Sequence, residues 1–237
     1  MKIIRVKTYE EMSRAVADLI AAEVRNKPTS VLGLATGSTP VGAYKFLAED
    51  CKNNKADFSE ITTVNLDEYC GLTPDNPQSY RYFMDENLFK HINIDRAKTH
   101  VPDGTASDPD AECERYENLI KSLGGIDLQL LGMGHNGHIA FIEPGEELSA
   151  GTCHTYLTKQ TIEANSRFFN DYEEVPKSAI SMGIRTIMNA RKIILAVSGN
   201  DKADTLKKAL FGSITTRIPA SVLQLHNNAV VVTDCPE

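Results

Sequence analysis

Two spacings of apolar residues alternate along the chain. Short, nearly unbroken apolar runs at 3–6, 31–35, 61–66, 127–131, 192–197 and 229–233 have the length of strands, several of them buried on both faces. Briefer ones near 99–101 and at 154–157 predict two more short strands. Between the runs the spacing becomes helical. Met12, Ala15, Val16, Leu19, Ile20 and Val24 share one face of a helix over 9–25, and Tyr82, Phe83 and Leu88 mark a helix over 79–89. Helices are also predicted over 108–123, 202–210 and, shorter, 219–225. Ser38 or Thr39 can cap a helix that holds Pro40 in its first turn and runs to about residue 48. Residues 178–189 read as partly helical, and 158–176 carry no clear period.

Strands alternating with helices predict an α/β fold: a doubly wound, mainly parallel, Rossmann-like sheet with helices on both faces. No repeat, low-complexity segment or Pro-, Gly- or Ser-rich linker divides the 237 residues, so a single domain is expected. Four polar loops follow strands, and the crossover rules gather such loops on one edge of the sheet.

Composition narrows the function. A formal net charge of -7 argues against nucleic acid or an anionic membrane as the main partner, while leaving room for a small anion held by local cations. Five cysteines, at 51, 70, 113, 153 and 235, form no C-x-x-C and suit reduced thiols in a cytoplasmic protein. The first residues are too few and too charged for a secretory signal, and no apolar run reaches membrane-spanning length.

Candidate chemistry concentrates in the loops. Residues 130–145 follow an apolar run and carry Gly132, Gly134, Gly137, His135, His138 and Glu143. His138 and Glu143 could form an oriented imidazole–carboxylate pair. A zinc site using His135, His138 and Glu143 is the competing idea, but glycines interrupt the spacing that zinc helices use. Thr36, Gly37 and Ser38 precede a helix start and could cradle a phosphate, although neither G-x-x-x-x-G-K-[ST] nor G-x-G-x-x-G is present, and a merely capped helix fits equally well. Lys202 and Arg167 could add positive charge there. Asp67 ends a strand, where a carboxylate can act as a general base or cap a turn. No G-x-S-x-G occurs, and Cys70 and Cys153 have no spacing that pairs them with a histidine. An anion cradle, a carboxylate base and a His–carboxylate pair together suit proton transfer on a small phosphorylated polyol.

Seven segments, Gly33 to Pro40, Asn65 to Tyr69, Gln78-Ser79-Tyr80, Leu131 to Gly145, Ser166 to Phe169, Val175-Pro176-Lys177 and Gly199 to Ala203, resemble the glucosamine-6-phosphate deaminase family. The His138-Ile139-Ala140-Phe141-x-Glu143-Pro144 segment separates it most sharply from the related 6-phosphogluconolactonases. The resemblance implies reversible, metal-free and cofactor-free conversion of glucosamine 6-phosphate to fructose 6-phosphate and ammonia. In that reading Asp67 moves a proton between C2 and C1, and His138, tuned by Glu143, assists ring opening. Thr36, Gly37, Ser38, Arg167 and Lys202 hold the phosphate, and 158–176 forms a mobile lid. Asn136 stands where several relatives have an aspartate, so it can orient His138 but bring no charge. The long hexameric members extend further at the C-terminus, so this chain is expected in the compact, less regulated branch, as a monomer or small homo-oligomer. A lactone hydrolase and a non-catalytic sugar-phosphate sensor are the alternative functions.

Overall fold

The computed structural model describes residues 1–236 except 167, 168, 170, 172 and 173. Its centre is a seven-stranded sheet ordered β1-β10-β9-β6-β2-β3-β5, in which every pairing is parallel. The strands are β1 (Lys2–Arg5), β2 (Val31–Leu34), β3 (Thr62–Asn65), β5 (Thr99–His100), β6 (Leu128–Leu131), β9 (Lys192–Val197) and β10 (Ala229–Thr233). The apolar runs mark the middle of this sheet: β2, β6 and β10 are buried at every position, as strands covered on both faces must be. Helices α1 (Tyr9–Asn26), α2 (Val41–Lys52), α3 (Tyr80–Asn87), α4 (Pro109–Ser122), α6 (Ile184–Met188) and α7 (Ala203–Phe211) flank it. Local chemistry opens them. Thr8 caps α1 by accepting the Glu11 amide, and Asp108 caps α4 by accepting two amides, with Pro109 at its first position.

All seven parallel strands end on one edge, and the loops after β2, β3, β6 and β9 leave from it. A second, antiparallel sheet, β4-β8-β7, adjoins that edge through β4 (Asp67–Tyr69), β8 (Ser178–Ser181) and β7 (Cys153–Tyr156). Leu66 joins the two sheets, its N–H donating to the Leu34 carbonyl at 3.1 Å and its carbonyl accepting Met182 N–H at 2.8 Å. Among the described residues no helix is long and apolar enough to cross a membrane.

Three local expectations change. Asp67 begins a strand instead of ending one, because residues 67–69 find an antiparallel partner in β8 that only the tertiary fold supplies. Residues 178–189 divide into β8 and α6, since β8 pairs on both sides and its alternation is masked by burial. Neither Ser38 nor Thr39 caps α2, which starts after Pro40 with no side-chain cap bond. Within 158–176, residues Lys159–Ser166 form α5, with Thr158 Oγ1 accepting the Thr161 amide at 3.2 Å.

Candidate active site

The candidate anion-binding element is the turn between β2 and α2. Neither Ser38 nor Thr39 caps the first turn of α2, so no side chain of the turn itself occupies its amides. Tyr9 holds the turn from α1: its hydroxyl donates to the Ser38 carbonyl at 3.0 Å and accepts Gly42 N–H at 2.8 Å. Lys202, reached through a turn after β9, donates to the Met133 carbonyl at 2.9 Å, and burial lowers its pKa. Ser38, Thr39, His135 and Lys202 all line one cleft of about 850 Å³ between α1, α2 and the strand ends. Asp67, Asn136, His138 and Glu143 do not line it, and neither do Thr36 and Gly37. Arg167 lies outside the described residues.

Asp67 is 6% exposed, and its carboxyl accepts no hydrogen bond among the described residues. Burial, reinforced by the neighbouring Glu68, pushes its pKa up to about 8. Glu68 points the other way. It accepts the amides of Tyr69, Tyr80 and Arg81, each at 2.8 Å, and so anchors the start of α3. Burial still lifts it, to about 7, against those bonds. The anchored helix places Tyr80 beside Asp67, with its hydroxyl donating to Tyr69 Oη at 3.1 Å and lying against Thr36. Tyr69, Tyr80 and Phe141 cluster with centroids 4.6 to 6.0 Å apart, Tyr80 and Phe141 nearly parallel and Tyr69 tilted against both. Phe141 N–H also bonds Ser181 Oγ at 3.1 Å, and Ser181 is the strand partner of Asp67. The 36–38 turn, the base and the His138 loop therefore meet around one aromatic cluster.

In the loop after β6, Gly134 N–H donates to the His138 carbonyl and Gly137 N–H to the Gly134 carbonyl, both at 3.0 Å, with Gly137 at φ 86. The turn folds His138 back over Gly134, where a Cβ would lie 2.2 Å from the ring. The space left by this glycine is filled by the imidazole rather than by a ligand. His138 Nδ1 lies 2.7 Å from Asn136 Oδ1, and Asn136 Nδ2 donates to Glu143 Oε2 at 2.8 Å. Thr161 of α5 donates to Glu143 Oε1 at 2.7 Å. The direct His138 Nδ1–Glu143 separation is 3.6 Å, too long for a hydrogen bond, so Asn136 is the link. Burial alone would raise Glu143; the nearby imidazole and the donors Thr161 and Asn136 outweigh it and hold the carboxyl at about 2.

That charge settles the proton positions. An ionised carboxylate only accepts, so the Asn136 amide faces it with Nδ2 and turns Oδ1 to His138. Nδ1 must then carry the hydrogen, which leaves Nε2 with a free lone pair in the neutral ring. His135 is not part of this arrangement: it pairs with exposed Asp201 at 2.5 Å, so the two histidines face different partners.

These positions can be set beside known proteins. Residues 5–232 match the profile of the family described as glucosamine-6-phosphate isomerases/6-phosphogluconolactonase. The chain belongs to this family. It is 55% identical to the glucosamine-6-phosphate deaminase of Lachnoclostridium phytofermentans, over 98% of each chain. With that of Halothermothrix orenii it shares 53% identity, over 99% of this chain and 97% of the other. A solved monomeric glucosamine-6-phosphate deaminase superposes with a TM-score of 0.95 at 45% identity, covering 98% of this chain and 97% of that one. The α/β fold expected from the alternation of runs is the fold of the family.

Sequence reasoning missed Tyr9, Glu68 as the anchor of α3, Tyr80 and Thr161. Glu68 alone had a legible signal: an acid eleven residues before the Ser79 cap, facing a helix start.

Proposed function

We propose that the chain is a glucosamine-6-phosphate deaminase that converts glucosamine 6-phosphate and water reversibly to fructose 6-phosphate and ammonia. The observation that carries the reading is the opposed state of two carboxyls: Asp67, buried with no donor among the described residues and pushed up to about 8, and Glu143, held at about 2 by its donors. Environments that drive two carboxyls apart assign them different tasks. Glu143 keeps its charge and orients. Asp67 exchanges a proton near neutral pH.

The chemistry follows from these states. His138 Nε2, with its free lone pair, takes the proton of the C1 hydroxyl and returns one to the ring oxygen, and the pyranose opens to an aldehyde. Asp67, as carboxylate, removes the C2 proton while O1 takes a proton from the C2 ammonium, giving an enediol-type intermediate bearing nitrogen, and Asp67 then delivers its proton to C1. The product is a protonated imine at C2, which water hydrolyses to the ketose and ammonium. The phosphate is held by Thr36, Gly37 and Ser38 at the uncapped start of α2, with Lys202 and Arg167 as cations. Residues 158–176 act as a lid over the sugar. A monomeric structural relative supports a monomer as the working unit.

The test is direct. Purified protein given glucosamine 6-phosphate, without added metal, should release ammonia and fructose 6-phosphate in equal amounts. Hydrolysis of a sugar-phosphate lactone with no ammonia would replace this reading by a lactonase.

A further inference from the structure

We infer that Thr161 is a positioning residue for ring opening, acting through Glu143, so that helix α5 is built into the proton relay although it sends no assigned group to the sugar. The inference rests on the roles of His138 and Glu143 given above. Glu143 has one firm donor on each oxygen, Asn136 on Oε2 at 2.8 Å and Thr161 on Oε1 at 2.7 Å. The two come from separate segments: Asn136 from the loop after β6, and Thr161 from the first turn of α5, 18 residues beyond Glu143. A threonine hydroxyl has one proton, and an ionised carboxylate accepts only, so that proton belongs to Glu143. The 3.0 Å contact between Thr158 and Thr161 hydroxyls then runs from Thr158 to Thr161, while Thr158 Oγ1 caps the Thr161 amide. A chain of hydroxyls thus joins the cap of α5 to the carboxylate that Asn136 connects to His138. Bonds to a charged acceptor are stronger than neutral ones, and a carboxylate at the start of a helix gains further from its dipole. Loss of Thr161 leaves Glu143 with one side-chain donor among the described residues, and the Asn136 bridge then depends on a carboxylate held at one oxygen.

The experiment measures kcat and KM for glucosamine 6-phosphate in full-length protein carrying Thr161→Val or Thr161→Ser, and Thr161→Val combined with Glu143→Gln. Thr161→Val should lower kcat about tenfold with KM within about twofold, and Thr161→Ser, which keeps the hydroxyl, should recover to within about threefold. On the residual activity of Glu143→Gln, adding Thr161→Val should change nothing, because both changes break the same contact. Equal losses in the valine and serine variants, an unchanged kcat in the valine variant, or additive losses in the double variant overturn the proposal. If the valine variant does not fold, Thr161→Ala against Thr161→Ser makes the same comparison. Wild-type protein that releases no ammonia overturns the functional reading itself, a result distinct from any of these.

Discussion

Asn136 donates its side-chain amide to Glu143 at 2.8 Å, and through that contact a neutral residue transmits the orienting effect of a charge. The amide can serve two partners at once because it is a donor on one side and an acceptor on the other. An aspartate here would bring its own charge to Nδ1 but would face Glu143 as a second anion.

Asn136→Leu should therefore lower kcat about 10- to 100-fold while leaving KM for the phosphate-bearing substrate nearly unchanged. Asn136→Asp should keep kcat within about tenfold of the wild type, because its carboxylate still accepts from His138 Nδ1. A leucine variant as active as the wild type would show that the bridge does not carry Glu143's influence.

Asp67 supplies the second expectation. Its carboxylate is the reactive form, so deamination should rise with pH along a limb centred at about 8, well above the usual carboxylate range. Asp67→Asn should remove that limb and lower kcat by about a thousandfold or more with KM within about threefold. Near-normal turnover in this variant would mean that another base is at work.

The same carboxyl affects stability. In the folded chain burial lets Asp67 keep its proton up to about pH 8, while an unfolded aspartate releases it near 3.8. Folding therefore takes up a proton between those values, and the contribution of this group falls as pH rises through the window, by at most about 1.4 kcal/mol per pH unit. Asp67→Asn should melt higher than the wild type at about pH 8 and differ little at about pH 4. Thermal melts across that range read it directly, and a difference that shrinks with rising pH contradicts the burial argument.

Gly134→Ala should displace the His138 ring, because the added Cβ would lie 2.2 to 2.5 Å from three of its atoms. The fold should persist, with a circular dichroism spectrum like that of the wild type, while kcat falls about 100-fold. A fully active alanine variant would mean that His138 works from another position.

Lys202→Ala should act mainly on binding. Removal of a cation from the phosphate side should raise KM for glucosamine 6-phosphate about 10- to 100-fold and weaken inhibition by inorganic phosphate in parallel. Because Lys202 also holds the Met133 carbonyl, a smaller fall in kcat should accompany this. A KM equal to that of the wild type would place the phosphate elsewhere.

How much of this was legible in the chain differs between residues. The strands that form the sheet interior, 31–34, 128–131, 192–197 and 229–233, could be read because continuous burial leaves a continuous apolar run. Their loops could be placed on one edge because parallel strands share a direction. The short strand Asp67–Tyr69 could not be read, since three polar-edged residues become a strand only against Ser178–Ser181, over a hundred residues away.

By itself, then, the sequence determined the order of elements and the parallel sheet with its loops on one edge, and it marked Asp67, His138 and Glu143 as candidates. Periodicity and glycine placement are local properties, and they survive in one dimension. Tertiary structure alone decided the charge and direction of those groups. It turned Glu68 to the start of α3 and buried its neighbour Asp67 with no donor among the described residues; it turned His135 to Asp201 and His138 to Asn136. It also brought Thr161 to Glu143. The protonation of a group depends on what surrounds it after folding, and most of those surroundings come from distant parts of the chain.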